Sequence, residues 1–206
     1  MWKLIYKDLL LPLRSSNYLW AFIINNILLV FILSLAIPLE YIRDMAIGMF
    51  WAVNFINASQ FTLKVVEDEF EDDAIYSVLM SPLTHGHIAL SKIFATFLYL
   101  ILASLINLSA IVVLFRVQKP FPPSFWLFFF IGLAGIAVIG LLISLITIRL
   151  TFRTLSFYIL SLPLYVPFFI ACVQGSIEFK LEWVMLALFL ISAYMFILLF
   201  YMEREL

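Results

Sequence analysis

The chain has 206 residues, of which 66% are hydrophobic and only 12% are charged, with a formal net charge of −1. Soluble domains carry about 25% charged residues, so this composition excludes an ordinary soluble domain and predicts a membrane protein. A single cysteine excludes a disulfide framework and a thiolate metal site. The N-terminal stretch lacks the small-residue cleavage site of a signal peptide, and we expect no removal of a leader.

The first 14 residues have the pattern of an amphipathic helix. Apolar residues recur at spacings of three and four, while Lys3, Lys7 and Asp8 fall largely on the opposite face. A helix of this kind lies in the plane of the lipid headgroups. We therefore predict an interfacial helix over residues 1–14. The alternative is that this stretch is only the beginning of the first span.

Six uncharged runs follow, each of about 20 residues, the length that crosses a bilayer as a helix. Pro163 and Pro167 fall inside the fifth run, and we expect them to kink it. The fold class that follows is an all-α polytopic membrane protein, with residues 1–206 as one transmembrane domain and both termini on one side. The predicted spans are Tyr18–Leu39, Met45–Leu63, Ile93–Phe115, Ser124–Ile148, Leu155–Val173 and Trp183–Tyr201.

The positions of lysine and arginine orient these spans. Of the 12 lysines and arginines, the side that carries the termini holds two thirds, and an excess of these residues marks the cytoplasmic side. Both termini and the connection 64–92, between the second and third spans, are therefore predicted to be cytoplasmic. The residues on that side are Lys3, Lys7, Arg14, Lys64, Lys92, Arg149, Arg153 and Arg204.

The connection 64–92 is the most acidic part of the chain. Six of the 13 carboxylates fall between Glu67 and Asp73, and the apolar segment Val78–Met80 follows them. An apolar tip beside carboxylates suits a groove on a soluble partner, with the charges setting orientation and association rate. Ser81-Pro82 then suits a helix start, with serine as N-cap and proline at the first position. The alternative is a solvated acidic extension of the second span.

No residue pattern of an enzyme is present in the sequence. No ionisable side chain lies deep inside a predicted span, where a membrane-embedded catalyst would need one. The sequence also lacks a nucleophile elbow, a zinc-binding His-Glu-x-x-His helix and a phosphate-binding glycine loop. His85 and His87 are of a type that ligates metal or haem, but without further ligands they are more typical of a solvated loop. We predict a non-catalytic chain with no metal site.

Amide and hydroxyl side chains do enter the predicted spans. Asn54, Asn57 and Gln60 recur every three residues in the second span, and Asn107 lies in the third. Hydrogen bonds between such residues join membrane helices by about 0.6–2 kcal/mol each. Helix packing is the interpretation we favour, and the alternative is a polar substrate path or a contact with another subunit. Further polar residues in the spans are Asn25, Asn26 and Ser104.

Two motifs resemble those of a known family. The segment Glu71–Ala74, followed by Leu79–Leu83 and Ala89–Lys92, is similar to the cytoplasmic hairpin of CcmB, the haem exporter permease of cytochrome c maturation. The segment Leu162–Pro167 in the fifth span is close to that family's Leu-Pro-Leu-x-Ile-Pro. The resemblance covers nearly the whole chain. Departures from the family pattern are Ala74 for a glycine, Tyr76 for a glutamate and Arg153-Thr154 for a glycine pair.

The resemblance implies an ABC-2-type permease subunit in a bacterial inner membrane, whose hairpin is gripped by a separate ATPase. It implies further partners: a haem-handling membrane protein, a small single-span protein and a periplasmic haem chaperone, and no nucleic acid. No cofactor is expected on this chain, because ATP and Mg²⁺ bind the ATPase and the complex handles haem. Alternative functions are export of a lipid, drug or polysaccharide, or a non-transporting scaffold. The candidate coupling residues are Phe70, Glu71, Asp72, Asp73, Val78, Leu79, Met80, Ser81 and Pro82, and the fifth-span motif contributes Pro163, Tyr165 and Pro167.

Overall fold

The computed structural model describes residues 5–7, 16–36, 42–71, 84–115, 117, 121–148 and 150–205. Within these ranges the regular structure is helical and contains no strand. Residues 5–7, inside the predicted interfacial helix, are helical, and the rest of that prediction lies outside the described residues. The longer helices are α1 (Ser16–Ala36), α2 (Ile42–Glu71), α3 (His85–Leu114), α4 (Pro123–Thr147), α5 (Arg153–Ile177) and α6 (Leu181–Glu205).

Proline favours the start of α4, and a threonine stands at the N-cap position of α3 without a side-chain capping bond. α4 begins at Pro123, after Pro122 in an extended conformation with φ −62° and ψ 154°, because proline fits the first helical position, where no backbone donor is needed. α3 begins at His85, after Thr84 as N-cap with φ −70° and ψ 150°. The Ser81-Pro82 start predicted from the sequence lies outside the described residues.

α4 is the central helix of the bundle. It packs against α2, α3, α5 and α6, whereas α1 packs against α2 and α3. In the most apolar stretch of α4, 78% of the residues are buried inside the protein, whereas 17% are buried in the corresponding stretch of α6. A helix that is apolar all round must be surrounded by other helices or by lipid. α4 is therefore the core of the fold, and the outer helices turn much of their apolar surface outward.

Four of the described helices are long and apolar enough to cross a membrane: α3 from Gly86 onward, α4, α5 and α6. A shorter apolar helical segment, Ile23–Leu35, lies in α1. Large apolar side chains are exposed on these helices, Val113 and Phe196 among them. Helices satisfy their own backbone hydrogen bonds, as the bilayer interior requires. The chain is a polytopic, all-α membrane protein.

Glycines let α4 approach its neighbours closely. A Cβ added at Gly132 would overlap the indole ring of Trp51 in α2. The same indole donates a hydrogen bond from Nε1 to Ser176 Oγ in α5, at 2.9 Å. Small residues at such contacts allow helix backbones to pack tightly in membranes. Two more contacts of this kind join α4 and α5, with the ring of Phe168 on Gly135 and the ring of Phe128 on Gly175.

Candidate functional site

The first arm of the predicted cytoplasmic hairpin is helical. α2 continues without a break past Leu63, the end of the predicted second span, to Glu71. The added length is about 12 Å at 1.5 Å per residue. Phe70 and Glu71 are the last two residues of α2. The remaining candidate coupling residues, Asp72, Asp73, Val78, Leu79, Met80, Ser81 and Pro82, lie outside the described residues, so their role stays a prediction.

The second arm of the hairpin begins at α3. The hydroxyl of Thr84 is hydrogen-bonded to Nδ1 of His87, one turn into the helix. His87 is exposed. Among the residues that the structure describes, no group of three or more His, Cys, Asp or Glu side chains is placed to hold a metal ion.

Lys92 is a buried cation near this end of α3. Its exposed fraction is 3%, and the neighbouring Ser91 is fully buried, with Oγ donating to the carbonyl of Ile88 at 2.8 Å. A buried ammonium group needs a compensating interaction, and Lys92 is not without a partner in the structure. Sequence reasoning placed Lys92 at the membrane edge and did not single it out. In the sequence, the apolar turn Ile88–Leu90 that precedes Lys92 was the available sign of its burial.

Buried amides join α2 to α3. The side-chain oxygen Oδ1 of Asn54 accepts a hydrogen bond from Ser104 Oγ at 2.6 Å and one from Asn107 Nδ2 at 3.3 Å. The Nδ2 of Asn54 donates to the carbonyl of Phe50 in its own helix, at 2.8 Å. One asparagine of α2 thus holds two side chains of α3.

A second amide pair joins α2 to α1. Asn57 Nδ2 donates to Asn26 Oδ1 at 2.6 Å, and both side chains are buried. The side chain of Gln60 lies outside the described residues. We call Asn26, Asn54, Asn57, Ser104 and Asn107 the amide cluster. It is the meeting point of α1, α2 and α3, and the spacing of Asn54 and Asn57 in the sequence was the signal for it.

The fifth-span motif lies where α5 meets α2 and α4. Pro163 and Pro167 are both inside α5, and Tyr165 between them is buried. The hydroxyl of Tyr165 donates to the carbonyl of Ile136 in α4 at 3.4 Å. Its ring packs edge-on against Phe55 of α2, with 4.4 Å between the ring centroids. Tyr165 therefore connects three helices.

The prolines of this motif remove two backbone donors from α5, and side chains from a neighbouring helix contact the same region. Tyr194 of α6 donates its hydroxyl to the carbonyl of Leu164, at 3.2 Å. Neighbouring helices can supply hydrogen bonds to the backbone around prolines in a membrane helix. The motif is thus a helix-packing junction in the bundle.

Comparison with protein families matches residues 1–200 to the family described as CcmB protein. The matched range includes both arms of the hairpin, the amide cluster and the α5 motif. A search of curated proteins found no match. The resemblance drawn from the hairpin and the fifth-span motif is confirmed by the family match. The chain belongs to the CcmB protein family and is an ABC transporter permease component for haem export in c-type cytochrome biogenesis.

Proposed function

We propose that this chain is a six-span, non-catalytic permease subunit that converts ATP hydrolysis by a separate ATPase into movement of its helices. The observation that carries the proposal is the course of α2. This helix runs unbroken from Asn54 in the amide cluster to Glu71 in the acidic hairpin, about 26 Å along its axis. A continuous helix transmits a displacement along its length, because each turn is hydrogen-bonded to the next. A push at Glu71 would therefore reach the amide cluster.

The proposed topology places α1 and α2 as the first two spans and α3 to α6 as the other four. The termini and the hairpin 64–92 lie in the cytoplasm, and the membrane is the bacterial inner membrane. The excess of lysine and arginine on that side supports this orientation. α2 is longer than a span needs, so its end at Glu71 projects beyond the bilayer. Residues 1–14 lie along the headgroups.

The hairpin is proposed to dock into a groove of the ATPase. Glu71, Asp72 and Asp73 steer the approach through their charge, and the apolar segment Val78–Met80 provides the anchor. Apolar residues in a desolvated pocket carry most of the binding energy at such interfaces, while charges at the rim affect mainly the association rate. The sequence pattern supports this division of roles, together with the helical arm that ends at Glu71.

ATP and Mg²⁺ are proposed to bind the partner ATPase, and haem is handled by the complex without axial ligation from this chain. The chain has only two histidines, and both belong to the hairpin. Histidine and cysteine are two of the residues that hold haem iron in proteins, and the single cysteine, Cys172, is fully buried against apolar neighbours. The further partners proposed from the family are a haem-handling membrane protein, a small single-span protein and a periplasmic haem chaperone.

Co-purification with the ATPase tests the proposal. In mild detergent the chain should bring down an ATP-hydrolysing subunit whose turnover changes on binding. Reversing three charges together, Glu71→Lys, Asp72→Lys and Asp73→Lys, should weaken that binding about tenfold, as expected for the loss of several exposed ion pairs. Membrane insertion should be unaffected. The matched control is Glu203→Lys with Glu205→Lys in the C-terminal tail, which should bind like the unmodified chain.

Two outcomes would contradict the proposal. If no nucleotide-hydrolysing protein co-purifies, the chain is not an ATPase-driven permease. If an ATPase does co-purify but the hairpin and tail variants bind it equally well, the docking site lies elsewhere on the chain. Transport of a lipid, drug or polysaccharide by the purified complex would in turn contradict the haem-linked function.

A further inference from the structure

Two oxygen atoms of the amide cluster have no hydrogen-bond partner in the part of the chain that the structure describes. They are Oδ1 of Asn57 and Oδ1 of Asn107, and the exposed fractions of the two side chains are 1% and 0%. A buried acceptor without a donor costs about 1–3 kcal/mol. Buried polar atoms are for this reason almost always paired, with protein or with ordered water. Two such atoms in one cluster indicate a hydrogen-bond donor that is not among the described residues.

Exchanging the oxygen and nitrogen positions of these amide groups does not give the buried atoms a partner. Asn107 Nδ2 donates to Asn54 Oδ1 at 3.3 Å, so exchanging its nitrogen and oxygen would bring two acceptors together. Asn57 Nδ2 donates to Asn26 Oδ1 at 2.6 Å, and the same exchange would have the same effect. Turning both amides of that pair would only leave an unpaired N–H in place of the unpaired oxygen.

The chemistry of the cluster selects the missing donor. Its described members are amides and one hydroxyl, without a carboxylate, so a divalent cation would lack the six or more oxygen ligands it requires. An isolated charge in this interior would be strongly unfavourable. A lipid chain has no donor to offer. Water is small, neutral and a donor, and buried waters typically make about three hydrogen bonds to otherwise unsatisfied groups.

A groove of about 560 Å³ follows the contact between α1 and α3, and it is lined by Ile27 of α1 and Ile106 of α3 among others. These two residues are the chain neighbours of Asn26 and Asn107. The groove is mostly apolar, and no member of the amide cluster lines it.

We propose that Asn57 and Asn107 bind ordered water between α1, α2 and α3. The site joins three helices through a ligand that can exchange its partners, in contrast to the fixed contacts between glycines and aromatic rings elsewhere in the bundle. The proposal rests on the hydrogen bonds and burial of the cluster and does not depend on the transport function.

Water-edited solid-state NMR tests the proposal on the unmodified chain, assembled with its partners in lipid nanodiscs. Asparagine, cysteine and histidine are labelled with ¹³C, and magnetisation is transferred from water to carbon. Cys172, fully buried among apolar residues, is the dry reference, and exposed His87 is the hydrated one. The signals of the side-chain carbonyl carbons of Asn57 and Asn107 should build up several-fold faster than those of Cys172. Their build-up rate should approach that of the His87 signals.

A build-up as slow as that of Cys172 would overturn the proposal. A density map of the same complex gives an independent measurement. It should show a peak at about 2.7–3.2 Å from each oxygen, the ordinary range for a hydrogen bond. A protein side chain in that place would overturn the proposal, and so would carbonyl shifts that change when sodium is replaced by choline, because these would indicate a bound cation.

Discussion

Gly132→Ala should destabilise the helix bundle, although alanine is the better helix former. On an open helix face the change would stabilise by about 0.8–1 kcal/mol. At Gly132 the new methyl group would overlap the Trp51 ring, with even the third-nearest ring atom, Cζ2, at 3.1 Å. Trp51 is fully buried and is held by the bond from Nε1 to Ser176 Oγ, at 2.9 Å. The ring therefore cannot turn aside without losing that bond.

The magnitude follows from three contributions. Overpacking in a well-packed interior costs about 1–3 kcal/mol, and loss of the indole hydrogen bond adds about 0.5–1.5 kcal/mol. The gain in helix propensity offsets about 1 kcal/mol of this. The net expectation is a decrease of about 0.5–3.5 kcal/mol in the free energy of unfolding. Gly48→Ala is the matched control in α2, since a Cβ there meets no atom within 4 Å, and it should be neutral or stabilising.

The measurement is the free energy of unfolding in mixed micelles, from SDS titration of the two glycine variants and the unmodified chain. A double variant with Trp51→Leu tests the cause, because removing the ring should relieve most of the overlap. The two substitutions should then be coupled by more than the roughly 0.5 kcal/mol seen for independent sites. If Gly132→Ala is as stable as Gly48→Ala, the close contact between α2 and α4 is wrong.

Three further predictions concern the amide cluster, the hairpin and the topology. Asn54→Leu removes the acceptor of two α3 side chains and should lower the free energy of unfolding by about 1–3 kcal/mol. The control Ser109→Ala loses only a bond within its own helix and should leave that free energy unchanged. Equal effects of the two substitutions would count against the cluster. Leu79→Asp should reduce ATPase co-purification more than reversal of any single carboxylate, because the apolar tip is the anchor. In intact cells, a membrane-impermeant thiol reagent should label Lys119→Cys but should not label Gly86→Cys, and the reverse would invert the topology.

The apolar helices were predictable from the sequence because uncharged length defines them. The predicted fourth span, Ser124–Ile148, differs from α4 by one residue at each end, since prolines precede it and arginines follow it. The sixth, Trp183–Tyr201, lies inside α6. Hydropathy, however, indicates only the part of a helix that lies inside the membrane. The helix itself continues as far as its backbone hydrogen bonds do. α2 therefore extends to Glu71, through residues such as glutamate that favour helices in water.

The contacts between helices were less predictable. The spacing of Asn54 and Asn57 indicated a polar face on α2, but nothing in the sequence paired Asn57 with Asn26 in another span. The position of Trp51 over Gly132 also depends on how the helices are rotated, which only tertiary packing decides. Burial of Lys92 was missed for a related reason, because a lysine at the end of a predicted span is ordinarily expected to reach the headgroups.

The contacts of α2 with α4 differ from its contacts with α1 and α3. Towards α4, Trp51 packs on Gly132, and Thr62 lies so close to Gly140 that an added Cβ would be 2.6 Å from its methyl group. Contacts this close cannot shift without overlap or a void. Towards α1 and α3, α2 presents the amides of the cluster, and Phe61 also stacks on Tyr99 of α3 with 3.7 Å between the ring centroids. α4 is fixed to α5 in turn by the ring of Phe168 on Gly135. Close contacts that leave no free space therefore join α2, α4 and α5, whereas α2 is joined to α1 and α3 by buried hydrogen bonds as well as by packing.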